Sequence, residues 1–130
     1  MGNNTLLVVI DDDTDDQEIF KMAVEDLDEP IDCLYFTDCE SAIAHFSQPQ
    51  ATTPSWIFID LKLPRVDGEQ CLAQLQQLRQ FDHPFMVVFS SSIPDNLREK
   101  LSNSGVDKVI PKTSSIPELA NQIQQVVKMH

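Results

Sequence analysis

The 130-residue chain has the length of one domain and leaves little room for a second. Hydrophobic residues make up 42% and charged residues 23%, enough for one core beneath an ordinary polar surface. A formal net charge of −12 repels phosphate backbones and anionic lipid, so neither nucleic acid nor membrane is an expected partner. Cys33, Cys39 and Cys71 have no zinc-site spacing, and the expectation is three reduced, buried thiols. No apolar run approaches the roughly 18 residues of a membrane helix. No basic segment leads into an apolar stretch as in a signal peptide, so a cytoplasmic location is expected.

Five short apolar runs alternate with five segments of helical spacing. The first predicted strand is Leu6 to Ile10, followed by a helix whose stripe is Ile19, Phe20, Ala23, Val24 and Leu27. A second strand, Ile31 to Phe36, leads to a helix that Thr37 and Glu40 are expected to open as a capping box, with Ala42, Ile43 and Phe46 on its apolar face. Trp56 to Ile59 is the third strand, and Cys71, Leu72, Leu75 and Leu78 mark the third helix. Phe85 to Phe89 is the fourth, ahead of a helix opened by Ser92 and Asp95, with Pro94 in its first turn and Leu97 and Leu101 facing inward. Lys108 to Ile110 is the fifth, and Ser115 with Glu118 begins the last helix, whose stripe runs Leu119, Ile123, Val126 and Val127. The first, third and fourth strands are apolar at nearly every position, the pattern of strands covered on both faces. Alternation of this kind implies right-handed crossovers and a doubly wound parallel α/β sheet.

In such sheets chemistry gathers where the strands end. Asp11, Asp12 and Asp13 follow the first strand, Asp60 the third, Ser90 to Ser92 the fourth, and Lys112 the fifth. Two unit charges about 4 Å apart repel by roughly 4 kcal/mol at an effective dielectric of 20. Carboxylates from neighbouring strands therefore need a cation, a proton or Lys112. Oxygen-only ligands with open positions suit Mg²⁺, beside which an Asp oxygen can act as a nucleophile on phosphorus. Lys112, the Ser90 hydroxyl and backbone N–H groups would then neutralise the remaining phosphoryl oxygens. The competing structural roles are an N-cap at Asp13 or Thr14, turn serines at 90 to 92, and a solvated lysine.

These residues bear a family likeness. Leu-Val-Val-Ile-Asp-Asp-Asp, then Ile-Asp60-Leu-Lys-Leu-Pro64 with Asp67-Gly68, then Phe89-Ser90-Ser91, then Lys112 together resemble the receiver domain of two-component response regulators over nearly the whole chain, residues 1–130. The spacings of 30 residues from Asp60 to Ser90 and 22 from Ser90 to Lys112 fit that order. The resemblance implies a flavodoxin-like (βα)5 fold with a five-stranded parallel sheet in the order 2-1-3-4-5. It implies Asp60 as phosphoacceptor and Mg²⁺ held by Asp11, Asp12, Asp60 and the backbone carbonyl of Lys62. Ser90 would turn to the phosphoryl group, and Lys112 would bridge it to Asp11. Two departures stand out. Thr113 replaces the family's usual cis proline after the lysine, and Val109 replaces the usual aromatic three residues before it.

The resemblance further implies a switch rather than an enzyme, with a histidine kinase or histidine phosphotransfer protein upstream and another protein downstream. A pseudo-receiver, the same fold used unphosphorylated as a binding module, is the first alternative. A small aspartyl-phosphate phosphatase is the second; it wants Asp-x-Asp-x-Thr, and Thr14 falls one position early.

Overall fold

A computed structural model describes residues 5–27, 30–78, 84–91, 93 and 95–129. Along the chain lie β1 (Thr5–Ile10), α1 (Thr14–Glu25), β2 (Ile31–Phe36), α2 (Cys39–Phe46), β3 (Trp56–Ile59), α3 (Gly68–Leu75), β4 (Phe85–Ser90), α4 (Asp95–Asn103), β5 (Lys108–Pro111) and α5 (Ile116–Met129). All strand pairs are parallel, in the order β2-β1-β3-β4-β5. This is the doubly wound sheet expected from the alternation, in the flavodoxin-like strand order that the family resemblance implies.

The near-continuous apolar strands divide by parity, because successive side chains point to opposite faces. Leu6, Val8, Ile10, Ile57, Ile59, Met86 and Val88 pack under α2, α3 and α4, with Cys39, Phe46, Cys71, Leu75 and Leu101. Leu7, Val9, Trp56, Phe58, Val87, Phe89 and Ile110 pack under α1 and α5, with Phe20, Ala23, Leu119, Ile123 and Val126. Edge strand β2 is half-exposed at most positions, as a strand paired on one side only should be. Among the described residues, no helix is long and apolar enough to cross a membrane.

Two local expectations are corrected. Helix α2 is capped by Asp38, whose carboxylate accepts from the Ser41 N–H at 2.7 Å, instead of by Thr37 with Glu40. Asp38 is already extended, and Glu40 is drawn aside by Arg65. The cysteines are not three thiols: Cys39 and Cys71 form a disulfide across α2 and α3, with Cα atoms 5.6 Å apart, and Cys33 alone is free. The two helices pack in one layer, which brings together cysteines distant in sequence. At the last helix, Ser115 Oγ accepts from the Glu118 N–H as expected, but the Glu118 carboxylate accepts from Thr113 instead of closing a box. Ser92 and Pro94 lie outside the described residues; α4 itself begins at Asp95.

Phe20 is fully buried at the centre of the α1/α5 layer, edge-on to Phe58 and Phe89 at centroid distances of 5.0 and 6.0 Å. Phe20→Ala should lower unfolding free energy by about 3–5 kcal/mol through lost burial and the cavity left behind. Urea denaturation monitored by circular dichroism measures this, and a loss below about 1 kcal/mol would contradict the packing described.

Candidate functional site

Register builds the site. Ile10 pairs with Ile59, and the ladder continues one step beyond both strands, with Asp60 N–H donating to Ile10 C=O at 3.0 Å and Asp11 N–H to Phe36 C=O at 3.0 Å. Asp11 and Asp60 are thus the next residues on adjacent strands, both of the parity that faces α1 and α5. On the other flank Ser90 pairs with Pro111, and Lys112 N–H donates to Ser90 C=O at 2.9 Å. Lys112 shares the parity of Ile110, so its stem runs over the Phe89 ring, with Nζ 5.8 Å from the centroid.

The Lys112 ammonium sits among three carboxylates. Its Nζ lies 2.8 Å from Asp11 Oδ2, 2.8 Å from Asp60 Oδ2 and 2.7 Å from Asp16 Oδ2. Burial works against its charge, yet the carboxylates of Asp11, Asp16 and Asp60 together outweigh that penalty and its pKa is raised. The other Asp60 oxygen accepts from the Lys62 N–H at 3.1 Å, and Asp11 Oδ1 accepts from the Asp13 N–H at 3.0 Å. Asp11 Oδ2 has a close ion-pair distance to Lys112 but no aligned hydrogen bond, and the buried Ser90 Oγ has none either. A cleft of about 480 Å³ opens above, lined in part by Asp12, Asp16, Asp60, Lys62, Ser91 and Lys112.

The sequence-predicted residues fall as follows. Asp11, Asp60, Ser90 and Lys112 are brought to one end of the sheet, with Asp11, Asp60 and Ser90 buried. Asp12 stands exposed beside them, and Lys62 lies on the cleft wall. Asp13 is the N-cap of α1, accepting from the Asp15 and Asp16 N–H groups, so the capping role holds for that member of the run. The sequence reading missed Asp16 and Gln17. Gln17 Nε2 donates to Asp11 C=O at 2.9 Å and Phe36 C=O at 3.0 Å, pinning the start of α1 across two strand ends. Asp16 lies three and four residues before Ile19 and Phe20, on the buried face of α1; that spacing was the available signal.

The loop after Asp60 is held on both sides. Gly68 opens α3 so close to the Asp60 carbonyl oxygen and Leu61 Cα that a Cβ there would collide with backbone. Its N–H donates to Leu61 C=O at 2.9 Å. Arg65, at φ 66°, reaches back to α2, 2.7 Å from Glu40 and 3.4 Å from Asp38.

Asp11, Asp12 and Asp60 each offer an oxygen, and these lie within 4.8 Å of one another. Two buried carboxylates and one exposed, all oxygen donors, with an unaligned buried oxygen on Asp11, suit a small hard dication that keeps several waters. The donor set therefore fits Mg²⁺, with the Lys62 carbonyl, two residues past Asp60, as a candidate fourth ligand.

Residues 7–124 match the family model for the response regulator receiver domain. Hybrid signal transduction histidine kinase D of Dictyostelium discoideum is 31% identical over 80 residues, 62% of this chain and 5% of that protein. The probable methanogenesis regulatory protein FilR2 of Methanothrix harundinacea is 30% identical over 74 residues, 56% of this chain and 47% of that protein. The chain thus spans less than half the length of either relative. Among solved structures, the phosphorylated cyanobacterial phytochrome response regulator RcpA superposes with a TM-score of 0.83 at 22% identity, over 97% of this chain and 93% of that one. The Mn²⁺-bound form of response regulator Rcp1 gives 0.79 at 19%, over 94% and 91%. At these identities the structural likeness speaks for the fold.

Burial pushes the Asp11 carboxyl up from 3.8 to about 6, against the opposing pull of Lys112 and the Asp13 N–H. An acid that holds its proton more tightly when folded loses stability as pH rises between those two values, and the loss is complete above them. Metal-free protein should therefore lose about 2 kcal/mol from this group between pH 4 and 6, a loss that Asp11→Asn removes. Urea midpoints of both proteins across pH 4 to 7 test this. A difference between them that does not change with pH would contradict it.

Proposed function

Because the chain belongs to the response regulator receiver domain family of two-component signalling, we propose that it is a phosphoacceptor switch with Asp60 as the acceptor. The observation that carries this reading is the convergence on one cleft of Asp11, Asp12 and Asp60 oxygens within 4.8 Å of one another, beside a lysine 2.8 Å from Asp60. An Asp60 oxygen attacks the donor's phosphorus, and the donor's bond to phosphorus breaks with its electron pair leaving on the donor side. Asp11, Asp12, Asp60 and the Lys62 carbonyl would hold Mg²⁺, which would supply positive charge to phosphoryl oxygens. Lys112, already within reach of Asp60, provides a second positive charge. The buried Ser90 hydroxyl, with no hydrogen-bond partner among the described residues, is available to donate to a phosphoryl oxygen after a rotamer change.

A histidine kinase or histidine phosphotransfer protein is the donor this chemistry fits, and the output is binding of another protein by whichever conformation the phosphoryl contacts favour. The strong negative charge favours a basic partner surface over nucleic acid. A cytoplasmic location goes with these partners.

Incubation with acetyl phosphate and Mg²⁺ should add one phosphoryl group to wild type by intact mass and none to Asp60→Asn. Omission of Mg²⁺ should slow the labelling by at least tenfold, the scale of a lost charge-stabilising group. An unmodified wild type would discard this reading in favour of an unphosphorylated binding module.

A further inference from the structure

The Lys112 ammonium faces three carboxylates, and the three are not equivalent. Asp11 and Asp60 belong to the set whose oxygens share a dication-sized space, whereas Asp16 does not. Asp16 comes instead from the first turn of α1, at 2.7 Å from Nζ. A dication held by Asp11 and Asp60 would draw those two oxygens away from the ammonium. Asp16 is the acceptor left to it.

Asp16 is itself well placed to hold a neighbour. Asp13 caps the turn that carries it, and the Gln17 amide fastens that turn to the ends of β1 and β2. The lysine needs such a hold. Its backbone is tied by the Lys112 N–H to Ser90 C=O bond, and Thr113 follows it. The chain beyond Lys112 is therefore not locked by a proline ring, and the ammonium rides on a flexible four-carbon stem.

We infer that Asp16 is a positioning residue that keeps the Lys112 ammonium over the cleft while Asp60 receives its phosphoryl group. The inference rests on Asp60 being the phosphoacceptor. With acetyl phosphate, the Asp60 oxygen forms the new O–P bond as the donor's acyl O–P bond breaks, and acetate departs with the bonding pair. Charge balances without a proton. Lys112 has only to stand near the phosphoryl oxygens throughout, and that is the task Asp16 makes possible.

The test is the rate of Asp60 labelling by acetyl phosphate in saturating Mg²⁺, followed by intact mass across donor concentrations. Asp16→Ala should lower the maximal rate roughly tenfold and leave the half-saturating donor concentration within about twofold, as misplacement of a stabilising group does. Asp16→Asn keeps an acceptor oxygen for the ammonium and should recover most of that loss. If both variants label faster than wild type, Asp16 acts only by repelling the anionic donor and the inference is overturned. Equal slowing of both, or no change in either, overturns it as well. Should Asp16→Ala fail to fold, Asp16→Ser, too short to reach Lys112, takes its place with the same expected loss. An unlabelled wild type instead removes the phosphoacceptor reading itself, so the two failures are told apart.

Discussion

Everything at the working end of this molecule follows from holding like charges together. Asp11 and Asp60 are nearly sealed from solvent on neighbouring strands, and the parallel ladder leaves them no freedom to separate. The Lys112 ammonium, sheltered beside Phe89, is the counter-charge that makes this tolerable. Removing one partner of such a buried set strands the others. The sheet thus presents an electrostatic demand that one lysine meets.

Most of the architecture could be read from the residues, for a physical reason. Strands buried on both faces and helices with a single stripe leave few ways to pack, and strand parity then dictates which strand-end residues meet. Asp11, Asp60 and Lys112 share the parity of Val9, Phe58 and Ile110, so their meeting on the α1/α5 side is a consequence of register. Local and long-range details were harder. The choice between Thr37 and Asp38 as the cap turned on where Arg65 draws Glu40, a contact 25 residues away. The Cys39–Cys71 pairing depends on α2 lying beside α3, which no spacing rule contains. Asp16 was hidden at the end of an acidic run in which Asp13 caps the helix and Asp15 is exposed, although its place ahead of Ile19 and Phe20 pointed inward.

The two departures from the family pattern now have a structural setting. Val109 is half-buried and packs against the α2–α4 layer, so the small side chain replaces an aromatic without leaving the core. Thr113 contributes hydrogen bonds that a proline lacks: its hydroxyl accepts from the Ser115 N–H at 3.1 Å and donates to Glu118 at 3.3 Å. The turn after Lys112 is thereby shaped by side-chain bonding at the mouth of α5.

The tether at Arg65 carries a consequence of a different kind. One flank of the Asp60 loop is fastened by buried packing at Gly68, which dissolved ions scarcely touch. The other is fastened by an exposed guanidinium between Asp38 and Glu40, attractions that mobile ions weaken at short Debye lengths. The two sides of this loop therefore respond unequally to the surrounding electrolyte, and concentrated brine would loosen its outer rim while its inner hinge stays fixed.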